Sequence, residues 1–150
     1  MNALLKKMQY KGDEEILILN SPDEFKRNLH EISSSAKVLS RNPKNQKEYG
    51  FILIFVKNCA EIIIHSKLAQ NNLIKDGVLW FAYPKKSSKK YSTDVNRDLG
   101  WQPLGDLGFE AVRSVAVDED WSALRFRHID YIKNLTRDNS SVMSKKLKLK

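Results

Sequence analysis

Cysteine is nearly absent from this chain. Cys59 is its single copy, so no internal disulfide can form and no cysteine pair exists to hold zinc. Glycine is sparse as well, six residues in 150, and none forms a Gly-x-Gly-x-x-Gly, Walker-type or Gly-x-Ser-x-Gly motif. Phosphate-wrapping loops and nucleophile elbows of the standard kinds are thereby excluded. The longest apolar runs, Phe51 to Val56 and Val78 to Tyr83, are six residues each, far short of a bilayer's thickness. No membrane partner is expected. Lys6, Lys7 and Lys11 are followed by Asp13, Glu14 and Glu15 rather than by an apolar leader, which points to a cytoplasmic protein. The histidines do not cluster: His30, His65 and His128 fall in separate segments with no His-Glu-x-x-His spacing, and no metal is expected.

What is present is an ordinary globular composition, 41% hydrophobic, with a formal charge of +8. That balance supports a core and argues against disorder. The surplus charge is concentrated. Pro84 to Arg97 holds four lysines and one arginine against one aspartate, and Met143 to Lys150 holds four lysines and no acid. Such runs attract phosphates or nucleic acid, and they equally serve as solvated ends. Residues 1–135 are expected to form one α/β domain, with 136–150 a flexible basic tail.

Along the chain, strand and helix patterns alternate. Leu4 to Met8 reads as a helical lead-in and Glu15 to Leu19 as a strand apolar on both faces. Ser21, Pro22 and Glu24 make a capping-box start for a helix that presents Phe25, Leu29 and Ile32 on one stripe. Ala36 to Leu39 is a weak edge strand, and Ser40 to Lys47, with Pro43 inside it, an exposed connection. Phe51 to Val56 is the strongest central strand. Asn58 caps a helix running to about Asn71, with Glu61 three residues in, and Lys75-Asp76-Gly77 turns the chain into the strand Val78 to Tyr83. Thr93 and Asp94 open a short helix ended by Gly100, and Pro103 opens another up to Gly108. Glu110 to Val117 and Trp121 to Arg127 are strands joined by the acidic turn Asp118-Glu119-Asp120, so they pair antiparallel. A short helix to Leu135 follows. The expected fold is a three-layer Rossmann-like α/β domain, its mixed sheet parallel in the centre with a C-terminal antiparallel hairpin.

This order of elements resembles the second half of a class I methyltransferase fold. The turn after the first strand is Asn20-Ser21-Pro22, without glycine, which disfavours a standard S-adenosylmethionine or dinucleotide pocket; no cofactor is expected. The Tyr83-Pro84-Lys85-Lys86 loop, coupled to Trp121-Ser122-Ala123-Leu124-Arg125-Phe126-Arg127, is similar to a narrower pattern, that of a small bacterial single-domain family of unknown function, from about Leu4 to Arg127. That resemblance implies a compact α/β domain with no established activity.

Ligands in open α/β sheets sit at the carboxyl ends of the strands. The residues expected to gather there are Asn20, Ser21, Lys85, Ser87, Asp94, Asn96 and Arg97, with Arg125 as part of an arginine pair on one strand face shared with Trp121 and Ala123. Their side chains suit an anionic small molecule. They also suffice as helix caps and loop braces. Cys59 reads as a small packing residue, although a helix start can activate a thiol. These features favour a non-catalytic binding or structural module with an anionic-ligand site. The alternatives are an atypical transferase-like enzyme or a weak, nonspecific nucleic-acid binder; oligomeric state is not indicated.

Overall fold

The structure is a computed structural model that describes residues 2–41 and 47–132. The middle of the Ser40 to Lys47 connection, the helix continuing to Leu135 and the basic tail lie outside those residues. A helix α1 (Ala3–Lys7) leads to strand β1 (Glu15–Leu19). A single 3-10 turn (Asp23–Phe25) and helix α2 (Lys26–Ile32) bring the chain back to the edge strand β2 (Lys37–Leu39). Strand β3 (Tyr49–Phe55), helix α3 (Cys59–Asn72) and strand β4 (Leu73–Pro84) complete the parallel centre. Helix α4 (Gln102–Asp106) and the hairpin of β5 (Phe109–Ala116) and β6 (Trp121–His128) close the sheet.

The six strands lie in the order β2-β1-β3-β4-β6-β5. β1 pairs parallel with both β2 and β3, and β3 pairs parallel with β4. β6 runs antiparallel to β4 and to β5. The architecture is thus the mixed, Rossmann-like sheet expected from the alternating pattern. One face carries α1, the 3-10 turn and α2, and Leu5, Met8, Phe25 and Ile32 from this stretch pack on Phe51, Phe55, Trp80 and Trp121. The other carries α3 and α4, with Ile62, Ala69 and Leu104 on Leu79, Phe81 and Phe126. Trp80, Trp101 and Trp121 are all fully buried, and each such aromatic contributes on the order of 2 kcal/mol through burial alone.

Three local expectations are corrected. Ser21 caps nothing: the 3-10 turn starts behind Pro22 with no side-chain cap, because Glu24 is drawn to partners far along the chain. Lys75-Asp76-Gly77 is not a turn before a strand but a bulge within β4. Tyr49 pairs with Leu73 and Phe51 with Val78, so two steps of β3 face five of β4, and Asp76 takes up the slack at φ +52°. The helix expected from Thr93 to Gly100 does not form, since the side chains that would start it are bonded to other elements.

Candidate functional site

The order of the sheet locates the site. After β1 the chain builds outward to β2, then crosses back to place β3 on the other side of β1. Two neighbouring parallel strands whose connections leave in opposite directions open a crevice at their carboxyl ends, the usual ligand position in such sheets. A cavity of about 340 Å³ occupies that crevice, lined by Asn20, Phe55, Lys57, Glu61, His65 and Trp121.

Each lining residue is positioned by local chemistry. Asn20 ends β1 in the left-handed region, φ +60°, which asparagine tolerates better than most side chains. Its amide Nδ2 lies 3.1 Å from His65 Nε2. Asn58 caps α3, its Oδ1 accepting the Glu61 N–H at 3.0 Å, while Glu61 Oε1 accepts the Lys57 N–H at 2.9 Å. The two side chains thus satisfy two orphan amides reciprocally. Helical spacing puts His65 one turn beyond Glu61, on the same side of α3. The Lys57 carbonyl accepts from Thr93 Oγ1 at 2.7 Å, and its ammonium lies 5.5 Å from the centre of the Tyr91 ring.

Burial lowers the His65 pKa below its ordinary value, outweighing the opposing pull of Glu61's charge. The ring is therefore neutral at pH 7. With the Asn20 amide donating to Nε2, the ring proton sits on Nδ1, which is buried without a partner among the described residues. The inner wall is Trp121, whose indole donates to Glu24 Oε1 at 3.0 Å; the Tyr91 hydroxyl donates to the same oxygen at 2.5 Å and Lys90 reaches Oε2 at 3.1 Å. Burial pushes the Glu24 carboxyl up, but these bonds together prevail and hold it down at about 2.

Of the residues singled out from sequence, Asn20 lines this cavity and half-buried Ser21 follows it. The others do not line it. Lys85 is tied by its backbone N–H to the Asp120 carbonyl at 2.8 Å, and Ser87 and Arg97 are exposed. Asp94 Oδ1 accepts the Cys59 N–H at 2.9 Å, and Asn96 Oδ1 accepts the N–H groups of Asp98 and Leu99 at 2.8 and 3.0 Å. Arg125 stands opposite Trp80 in the ladder, back from the carboxyl end of β4. Lys57, Glu61 and His65 were not singled out, although Glu61 and His65 share a helix face directly after the strongest central strand. Burial and the neighbouring Asp94 raise the Cys59 pKa, so the start of α3 holds no activated thiol.

No family model matches the chain, and none of the curated proteins does. The likeness to a small bacterial family therefore rests on the sequence motifs alone. Solved structures do match. A SAM-dependent methyltransferase from Aquifex aeolicus superposes with TM-score 0.53 at 13% identity over 84% of this chain and 88% of its own. TrmN from Thermus thermophilus gives TM-score 0.53 at 12% identity, covering 85% of this chain and 47% of its own. The ribosomal protein L11 methylase of Lactobacillus delbrueckii gives 0.50 at 10% identity, over 83% and 74%. Two expectations are corrected by these neighbours. The expected non-catalytic module without a cofactor gives way to the transferase-like alternative, which fits better beside an Aquifex protein named as dependent on S-adenosylmethionine (SAM). At these identities the likeness establishes the fold, and the chain shares the Rossmann-like α/β fold of methyltransferases.

Proposed function

We propose that this chain is an atypical transferase-type enzyme that takes SAM in the cleft between β1 and β3. The observation that carries the reading is the place of the polar cavity: it lies at the one point where the strand order reverses, in a fold shared with a SAM-dependent methyltransferase.

The residues fit the methionine end of SAM. Lys57 and the Asn20 amide suit its carboxylate, and Glu61, already oriented by the Lys57 N–H, suits its ammonium. Asn20 at φ +60° gives the turn after β1 the left-handed backbone that a glycine would otherwise supply. The fit is atypical at the nucleoside. Pro22 offers no amide, and β2 runs into Leu39-Ser40-Arg41 without the carboxylate that commonly holds ribose hydroxyls. Bound SAM would supply an electrophilic methyl group. The chain's own part is to orient the donor through Lys57 and Glu61, and to receive the acceptor's proton at His65 Nε2 once Asn20 releases it.

Calorimetric titration with SAM tests the proposal. Binding in the micromolar range is expected, weakened about tenfold or more by Glu61→Gln or Lys57→Ala. If ~1 mM SAM gives neither heat nor a shift in melting temperature, the proposal fails.

A further inference from the structure

Away from the cleft, the face of the sheet beneath α1 carries a second concentration of charge. Arg113 and Arg125 stand directly opposite each other across the β5–β6 ladder, and Arg127 follows two residues on, on the same face. Like charges in that relation destabilise a sheet. The Asp76 carboxylate is bidentate to one of the three: its two oxygens accept from Arg127 Nε and Nη2, each at 2.8 Å. Glu110 stands opposite Arg127 and so falls at the same end of the row.

Arg125 is only 8% exposed, yet no described residue gives it a carboxylate. Its Nη1 donates to the neutral amide oxygen of Gln9, a residue held at φ +64°, and its Nε is buried with no partner among the described residues. Burying a guanidinium costs several kcal/mol unless charge and hydrogen bonds offset it. Burial, then the charges of Arg127 and Arg113, depress its pKa, and Asp76 only partly offsets them. Lys11 also acts on the Asp76 carboxylate. Access is open from the side, because Arg113 is exposed and the Arg127 side chain is 35% exposed.

We infer that Arg113 and Arg125, with Arg127 beside them, form an oxyanion site for a phosphate group, separate from the cleft. Planar guanidinium forks match phosphate geometry, and the excess of cations over engaged acids suits a dianion better than a monocarboxylate. The same chemistry accepts free phosphate or the phosphomonoester of a small metabolite. The inference does not depend on the methyltransferase reading, since none of these side chains lines the cleft.

The 150-residue chain is melted and titrated with inorganic phosphate and with glycerol phosphate, against acetate and against sodium chloride at matched ionic strength. Phosphate at ~10 mM is expected to raise the melting temperature by about 3 °C or more beyond the chloride control, with acetate well below it. Arg113→Gln, an exposed change that spares the fold, should weaken phosphate about tenfold. Arg125→Gln should abolish the response; should it fail to fold, Arg113→Gln still decides. Lys57→Ala, in the cleft, should respond like the parent. A stronger response to glycerol phosphate than to phosphate identifies a phosphomonoester, and the reverse identifies the free ion. Equal melting in phosphate and chloride, an undiminished response in Arg113→Gln, or loss of the response in Lys57→Ala alone would each overturn the inference.

Discussion

Trp121 and Glu24 are separated by 97 positions and joined by one hydrogen bond, indole Nε1 to carboxylate Oε1 at 3.0 Å. The Tyr91 hydroxyl shares that oxygen, so the 3-10 turn after β1, the loop after β4 and the start of β6 meet at a single carboxylate behind the cleft. The folded state holds Glu24 at about 2, against 4.5 for a free side chain. A depressed carboxylate contributes stability that is fully present above the unfolded value and disappears as pH falls through the folded one. Urea midpoints should therefore decline between about pH 4.5 and pH 2. Glu24→Gln should cost about 1–3 kcal/mol at pH 7 and flatten that decline, because the amide leaves Trp121, Tyr91 and Lys90 without their anion. A parent and variant with parallel pH profiles would refute this.

Cys59 has the position of a reactive thiol, the first residue of a helix, without the chemistry. Its sulfur lies 3.7 Å from the Asp94 carbonyl, and Asp94 Oδ1 sits on its amide, so burial first and then Asp94 disfavour a thiolate. Reaction with a disulfide reagent at pH 7.5 should be slower than that of free cysteine, and Asp94→Asn should speed it several-fold. Faster reaction than free cysteine in the parent would contradict the assignment.

Much of the frame was legible because the signals were local. Glu15 to Leu19, apolar on both faces, is β1 to the residue, and Asn58 with Glu61 announces α3 and performs the cap. The acidic turn before Trp121 works through Asp118 Oδ1, which accepts from Asp120 N and Trp121 N. Two of the failures share one cause, tertiary partners that compete for a local donor or acceptor. Thr93 and Asp94 read as a helix start, yet Thr93 bonds the Lys57 carbonyl and Asp94 accepts the Cys59 N–H at the start of α3. Ser21 and Glu24 read as a capping box, yet Glu24 belongs to Tyr91 and Trp121. The cleft was half legible. Asn20 follows from the rule that strand ends hold ligands, but His65 gains meaning only once β1 and β3 are known neighbours. Arg125 joined the candidate residues as half of an arginine pair on one strand face, and only the register, which pairs it with Trp80, sets it back from the carboxyl edge.

Gly108 combines two constraints at the entrance to β5. Its φ of +93° disfavours any side chain, and a Cβ there would stand 2.5 Å from His128 Nε2. Its carbonyl also accepts the Ile129 N–H at 2.9 Å, which ties α4 to the end of β6. Gly108→Ala should therefore cost more than ~1 kcal/mol and lower the melting temperature by several degrees. Adding His128→Ala should restore part of the loss by removing the clash and leave the φ penalty. A neutral Gly108→Ala would mean that the backbone here is free to relax.

His65 offers a pH test of the cleft. Burial sets its folded pKa below the ordinary 6.5, so the folded state resists protonation more than the unfolded chain does. The sign follows: no penalty exists above 6.5, and stability declines as pH falls below it toward the folded value. Proton-nitrogen correlation spectra should show His65 titrating with a midpoint under 6.5, the neutral ring carrying its proton on Nδ1. His65→Gln should remove this component of the acid-side loss of stability, so the variant falls less than the parent between pH 7 and pH 5. If His65 receives a proton during transfer, activity in the parent should rise with deprotonation of that same ring, with its acid limb centred below 6.5. The variant should lose at least tenfold in kcat while its SAM affinity, which rests on Lys57, Asn20 and Glu61, changes little. A midpoint above 6.5, or an acid limb that survives unchanged in His65→Gln, would remove His65 from that role and leave it as a packing residue of α3.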